Sequence, residues 1–384
     1  MIDLSPLFGS PDAHEGTSCL FRVFPKTGRE RWMLDTSQRR PWHLKTWPRA
    51  NLRAKVIYNT AWALGTLGVH LPARLERYGV APGSLYAELQ DQFEHLGIFL
   101  GTPGPNRKFV VYAGRGDESY FIKVPVSAVS TALVGRETAA LADLAKDPDL
   151  GPLVPHAHKI ASHLALENIE GRGVGYGPLR LEELVRLHDM LVRRSETTRP
   201  LAVLRAEWQS EVPVGELAEH PQDVERAIIT AQEAANHALD AISQDLDIPC
   251  YMAHGDFTRW NVLRAADGTA RIIDWELYGL KPKWFDVLHY IVSHDLLVSR
   301  IPAGSIITRL SEVGRAICGT RPLREWWQQV TLYFAYQCLY YSAVYARQSD
   351  LHPQVMWQLG IWTEILHNLP GASEKITKAE VAQA

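Results

Sequence analysis

The chain has 384 residues, 46% of them hydrophobic, and a formal net charge of −3. That length allows two or three domains or lobes with a sizeable core, and the near-neutral balance excludes bulk charge as a means of holding nucleic acid or a membrane. Cys19, Cys250, Cys318 and Cys338 show neither CxxC nor zinc spacing and read as reduced thiols of a cytoplasmic enzyme.

At the N-terminus no basic segment leads into an apolar run, so no secretory signal is expected. Cys19–Phe24, the turn Pro25-Lys26-Thr27-Gly28 and Arg31–Leu34 predict a hairpin. Arg49–Val69 predicts a helix with Arg53 and Lys55 near its start. The longest apolar stretch, Val56–Leu71, is broken by Asn59, Thr60 and Thr66 and is too short and polar to cross a bilayer. From Met1 to Gln90 there are 12 Lys and Arg against 7 Asp and Glu, a surplus of +5 that leaves −8 for the rest of the total of −3. The asymmetry allows docking on an anionic surface such as a membrane, a partner protein or a charged glycan. The alternative is an extension packed on the neighbouring lobe, favoured because Trp62, Leu64 and Leu67 need burial.

Ile98–Gly104, Lys108–Ala113 and Ser119–Val124, with the polar turn Gly114–Glu118, predict a three-strand meander carrying Lys123. Leu133, Glu137, Ala140, Leu141 and Leu144 follow at helical spacing. Glu137 lies on the apolar stripe, and a buried carboxylate is costly unless it finds a cation. Taken singly, Lys123 reads as a solubilising edge-strand lysine and Glu137 as a solvated helix residue. Together, in this order along the chain, they read as a pair.

The loop Gly101–Lys108 is not a Walker A motif and lacks the Gly-x-Gly-x-x-Gly pattern. Pro103 and Pro105 remove amide donors, leaving the amides of Asn106, Arg107 and Lys108 for phosphates; an ordinary hairpin turn reads equally well. Ser162–Gly171 predicts an apolar strand running into a connector with Gly171, Gly173, Gly175 and Gly177. Helical periodicity then covers Leu181–Arg194 and Asp223–Gln244, before Pro249.

The most informative segment is His254-Gly255-Asp256-Phe257-Thr258-Arg259-Trp260-Asn261, followed by Ile272-Ile273-Asp274-Trp275-Glu276. Val262–Arg264, the turn Ala266-Asp267-Gly268-Thr269 and Ala270–Ile273 read as strand, turn, strand. Such a hairpin returns Asn261 and Asp274 to one end. An Asp, an Asn and a second Asp in this order suit a hydroxyl, two magnesium ions and a triphosphate. Beyond it, Arg324–Arg347 and His352–Leu369 predict helices rich in aromatic residues, read as core packing or as the lining of an acceptor pocket.

The motif resembles the aminoglycoside phosphotransferase family, a relative of choline kinases and, more distantly, of protein kinases. The family pattern is His-Gly-Asp, four variable residues, Asn, then a hydrophobic strand ending in Asp, and each position is filled here. The resemblance covers roughly Ile98 to His294. It implies an α+β, bilobal protein-kinase-like fold: a small β-rich N-lobe (91–166) and a large, mainly α-helical C-lobe (167–384) with the catalytic loop. Residues 1–90 form an extension, hairpin plus helix, outside the resemblance and packed on the N-lobe.

The resemblance further implies an ATP- and Mg²⁺-dependent transfer of phosphate to a small-molecule hydroxyl. Asp256 is the expected catalytic base. Asn261 and Asp274 are the expected magnesium ligands. Lys123 would hold the α- and β-phosphates and Glu137 would pair with it. The backbone of Glu167, Asn168 and Ile169 would meet adenine, and Gly104 and Asn106 would lie in the phosphate-covering loop. His254 would brace its own loop, and Asp286 in Trp284–Leu288 would support it. The acceptor reads as sugar- or polyol-like, with an amino alcohol or an antibiotic as alternatives. Neither nucleic acid nor an integral membrane segment is expected. A nucleotide-binding pseudokinase with a regulatory or assembly role is a rival reading. A protein kinase is disfavoured, because no Ala-Pro-Glu element follows Asp274 and Trp275–Asp286 is too short for an activation loop.

Overall fold

The computed structural model describes residues 2–10, 17–27, 30–47, 52–104, 106–169, 175–176, 178–211, 216–264, 268–348, 351–352 and 354–383. They form an α+β protein of two compact units, Met1–Gly177 with Trp260–Glu276, and Pro178–Arg259 with Leu277–Ala384.

The first unit runs through α1 (Ser5–Phe8), β1 (Thr17–Phe24), β2 (Trp32–Asp35), α2 (Leu52–Thr66), β3 (Arg74–Val80), α3 (Leu85–Gln92), β4 (His95–Phe99), β5 (Lys108–Arg115) and β6 (Glu118–Pro125). It continues through α4 (Ala128–Leu144), β7 (Ala157–Ile160), β8 (His163–Glu167) and β9 (Gly175–Tyr176). The second unit begins with α5 (Leu181–Ser195), β10 (Thr197–Pro200), α6 (Leu201–Ser210), α7 (Gln222–Asp240) and β11 (Asp247–Ala253). The chain returns to the first unit for β12 (Val262–Arg264) and β13 (Ala270–Ile272). It ends in the second with β14 (Gly279–Pro282) and the helices α8 (Phe285–His294), α9 (Ala303–Cys318), α10 (Arg324–Tyr345) and α11 (Gln354–Gln383).

An eight-stranded antiparallel sheet in the order β3-β1-β2-β4-β5-β6-β8-β7 organises the first unit. The expected meander is its centre: Val110 pairs with Lys123 and Lys123 with Leu164. One face buries Phe21, Met33, Ile98, Phe109, Val111 and Ile122 in a single cluster. Residues 1–90 are more than an extension resting on a lobe. The expected hairpin is present as β1 and β2, yet β2 also pairs with β4, and β1 with β3, so these strands continue the sheet. The physical reason is edge satisfaction: β4 would otherwise present unpaired amides and carbonyls.

The helix expected over 49–69 is α2, shorter at both ends; 48–51 lie outside the described residues. Its packing differs from expectation. Tyr58 and Ala61 are buried with Leu44 against Trp47 and Trp62. A Cβ on Gly65 would lie 2.5 Å from Pro41 Cγ, so glycine is what lets this face approach so closely. Leu64 and Leu67 fall on the other side and remain 40% and 80% exposed.

The second unit is mainly helical, with a small sheet β10-β11-β14. The predicted periodicities appear as α5 and α7, and the aromatic stretches as α10 and α11. Trp326, Trp327, Tyr333, Phe334 and Tyr336 of α10 are buried, so its aromatics are core.

Candidate active site

Lys123 lies on a central strand, which removes the edge-strand reading: β6 is flanked by β5 and β8, and Ile122, Lys123 and Val124 are all buried. Helix α4 brings its carboxylate partner. Ser127 caps the helix, accepting from the Ser130 amide at 3.1 Å while Ser130 Oγ accepts from the Ser127 amide at 3.0 Å. Leu133, Val134, Ala140, Leu141 and Leu144 bury one stripe, and Glu137 lies in it at 0% exposure. Lys123 Nζ donates to Glu137 Oε1 at 2.7 Å and Oε2 at 2.5 Å, and to Asp274 Oδ1 at 2.7 Å. Burial works against the ammonium, but Asp274, Glu137 and Glu276 outweigh it and hold the Lys123 pKa above the usual lysine range.

A second cation joins the cluster. Lys108, at the start of β5, pairs with Glu276, and its Nζ lies 3.8 Å from Asp274 Oδ1. Burial and the Asp274 charge push the Glu276 carboxyl up to about 7, against the pull of Lys108 and Lys123. Asp274 has φ +70°, a left-handed conformation for a non-glycine residue, which costs on the order of 1 kcal/mol and is typical of constrained functional loops. The β12–β13 hairpin holds it: Val262 pairs with Ile272, and the Ile273 amide donates to the Asn261 carbonyl at 2.9 Å. Residues 265–267 of its turn lie outside the described residues.

Among the described residues, Glu137, Asp274 and Glu276 form the one carboxylate cluster with metal-ligating spacing, their oxygens within 4.8 Å of one another. Asp274 belongs both to this cluster and to the expected pair with Asn261. Lys123 and Lys108 reach all three carboxylates, and Asp274, half-buried, is the most exposed of them. Oxygen donors from one carboxylate and one amide fit a hard cation such as Mg²⁺.

Of the donors expected in the loop before β5, the Arg107 amide is already engaged. The Arg107 amide donates to Gly104 O at 3.1 Å, closing a turn, and the Arg107 Nε donates to Leu100 O at 2.8 Å. A Cβ on Gly101, at φ +72°, would lie 2.3 Å from Lys108 O. Asn106 presents a buried Oδ1 with no partner among the described residues; Pro105 lies outside them. The expected adenine contacts are also narrowed. The Glu167 amide donates to His156 O at 3.0 Å and the Asn168 amide to Ser119 O at 2.9 Å, so both are spent within the sheet. That leaves carbonyls and Ile169. Of the connector glycines, Gly171, Gly173 and Gly177 lie outside the described residues, and Gly175 belongs to β9.

The His254-Gly255-Asp256 loop belongs to the second unit. Asp286, at the start of α8, accepts from the His254 amide at 2.8 Å and the Gly255 amide at 3.1 Å. His254 is fully buried and its Nδ1 accepts from the Asp256 amide at 3.2 Å, bracing the loop. Gly255 has φ +86°, and a Cβ there would lie 2.2 Å from Leu277 O. Asp256 is held by a residue that sequence reasoning missed: His289 Nε2 lies 3.0 Å from Asp256 Oδ1. Tyr333 OH and Gln337 Nε2 approach the other ring nitrogen of His289 at 3.1 and 3.2 Å. With Gln337 donating to Nδ1, the ring hydrogen is on Nε2 and points at the carboxylate. Two sequence signals were available: His289 stands three residues after Asp286 on one helix, and Glu276 lies two after Asp274. Lys108 carried no signal of its own.

Solved structures similar to this chain include choline kinase LicA from Streptococcus pneumoniae, with a TM-score of 0.39 and 13% identity over 68% of this chain and 89% of that one. They include the microcompartment-associated aminopropanol kinase (TM-score 0.40, 15% identity, 76% of this chain and 96% of that one). Spectinomycin phosphotransferase in complex with ADP and spectinomycin matches with a TM-score of 0.35 and 14% identity over 71% and 95% of the two chains. The structures this chain resembles include small-molecule kinases. No protein-family model matches the chain, and no curated protein does.

Proposed function

We propose that this chain is an ATP- and Mg²⁺-dependent kinase that transfers the γ-phosphoryl group to a hydroxyl of a small molecule, with a sugar or polyol as the favoured acceptor class. One observation carries the reading: a buried lysine on a central strand is held by a buried helix carboxylate and by the Asp that ends the β12–β13 hairpin. Burying a charged pair is a poor way to gain stability, and such clusters mark functional sites.

In this reading Lys123, kept protonated by Glu137, takes the α- and β-phosphates. Asp274 and Asn261 hold magnesium, which supplies neutralisation of triphosphate charge. Asn168 and Ile169 with the neighbouring Glu167 carbonyl face the nucleotide base, and Gly104 and Asn106 border its phosphates. Asp256, aligned by His289, orients the acceptor hydroxyl and takes its proton. The acceptor oxygen bonds to the γ-phosphorus as the bridging bond breaks and ADP leaves. The four cysteines, with neither CxxC nor zinc spacing, support a reducing compartment, the cytoplasm.

The test is ADP release across a panel of sugars, amino alcohols and aminoglycosides. Acceptor-stimulated release that Asp256→Ala abolishes supports the proposal. A thermal shift with ATP but no ATP consumption on any acceptor would favour the regulatory pseudokinase.

A further inference from the structure

A cavity of about 1320 Å³ is walled by α4, by the segment that follows it as far as Val154, by β7 and β8, and by Arg271 of β13. All of these elements belong to the first unit. Val134, Leu141, Val154 and Leu164 give it a buried apolar lining. Small-molecule sites usually measure roughly 300–1,000 Å³, so the space is more than an inorganic ion fills. Helix α4 turns a face of small residues to it. Thr131, Gly135, Thr138, Ala142 and the C-cap Ala145 follow at alternating steps of four and three residues, line the cavity and are exposed. A solvated helix face ordinarily carries charged side chains; this one carries none. Glycine inside a helix is less stable than alanine, yet a Cβ on Gly135 would meet nothing within 4 Å among the described residues. Packing within the chain does not ask for glycine there, whereas close approach of a bound molecule would.

The wall is cationic. Lys146, Lys159 and the half-buried Arg271 line the cavity, and their side chains have neither ion pair nor hydrogen bond among the described residues. Taking a guanidinium partly out of water without a partner is costly, and its planar fork suits a phosphate. His156, His158 and His163 border the same space. Among the described residues, Asp147 is the one carboxylate on the wall, and its Oδ1 accepts from the Asp149 and Leu150 amides at 2.9 and 3.0 Å.

We propose that this cavity binds an organic phosphate, a phosphorylated small molecule whose anionic end meets Lys146, Lys159 and Arg271 and whose apolar body lies on the small-residue face of α4. The position matters for the rest of the unit. Helix α4 also presents Glu137, and Arg271 stands three residues before Asp274, so an occupant touches both elements that hold Lys123. Lys123 itself borders the cavity, and the test therefore includes a nucleotide as competitor. The inference does not rest on the kinase reading.

The experiment is calorimetric titration of the full chain with 1-naphthyl phosphate, against inorganic phosphate and 1-naphthol. We expect a saturable site for 1-naphthyl phosphate, at least about tenfold tighter than for either of the other two, because each of those makes only part of the contacts. Lys146→Glu with Lys159→Glu, and separately Arg271→Gln, should each weaken it about tenfold. Gly135→Leu should abolish it by filling the space, with no clash inside the chain. Melting temperatures within about two degrees of the native chain would separate lost binding from lost folding. Native binding of 1-naphthyl phosphate no tighter than that of inorganic phosphate, or affinity unchanged in Gly135→Leu and Arg271→Gln, would overturn the proposal. So would displacement of 1-naphthyl phosphate by ADP, which would put the probe in a nucleotide site instead.

Discussion

Lys123 Nζ donates to both oxygens of Glu137, at 2.7 and 2.5 Å, across fourteen residues of chain. The Glu137 carboxylate has no exposure to water. Removing the cation therefore leaves a buried charge unpaired, at a cost of about 3–5 kcal/mol. Lys123→Met should lower unfolding free energy by that order. Adding Glu137→Leu should restore part of the loss, a non-additivity that denaturant melts in a double-mutant cycle would measure. Neither variant should retain native nucleotide affinity.

Asp256 and His289 make a second testable pair. Asp256→Ala should abolish phosphoryl transfer while calorimetric nucleotide binding persists. His289→Ala should lower kcat by about 10²- to 10³-fold with little change in nucleotide KM, because its ring bonds Asp256, which the proposed mechanism assigns to the acceptor. Conservative His289→Gln, which keeps a donor, should recover part of kcat. An unchanged kcat in His289→Ala would remove its positioning role.

Asp274→Ala should act on binding. Calorimetry with and without magnesium should show the metal-dependent part of nucleotide affinity lost. The Ala side chain would also leave Lys123 and Lys108 with one carboxylate fewer, so metal-free ATP should bind no more weakly than in the native chain.

Gly255→Ala tests the loop backbone. The φ of +86° and a Cβ 2.2 Å from Leu277 O allow no side chain without displacement. We expect a loss of more than about 2 kcal/mol in denaturant melts, accompanied by loss of activity.

His188 gives a pH prediction. Both ring nitrogens are buried with no partner among the described residues, and the ring stacks on Trp284 at 4.0 Å. Burial, with Lys283 nearby, pushes its pKa down to about 3. A depressed histidine favours the folded state above its unfolded pKa of about 6.5 and loses that contribution as pH falls towards 3. The loss should approach about 1.4 kcal/mol per pH unit. His188→Phe, which keeps the stack, should flatten stability between about pH 6 and pH 4 in melts across that range.

Much of this protein was legible before folding. The alternation of β5 and β6, the α4 stripe and the spacing of Asp256, Asn261 and Asp274 are local patterns, fixed by backbone periodicity and turn chemistry. They sufficed to pair Lys123 with Glu137, because a carboxylate on an apolar stripe needs a cation wherever the chain goes. Other features depended on what distant segments do to one another. The joining of residues 1–90 to the sheet, the capture of Glu276 by Lys108 and the outward turn of Leu64 and Leu67 have no local signature. The same holds for the Glu167 and Asn168 amides, donors on paper that the sheet consumes. Sequence determined which groups are available for chemistry; tertiary structure decided which are already engaged, since hydrogen bonds and burial are settled between segments far apart in the chain.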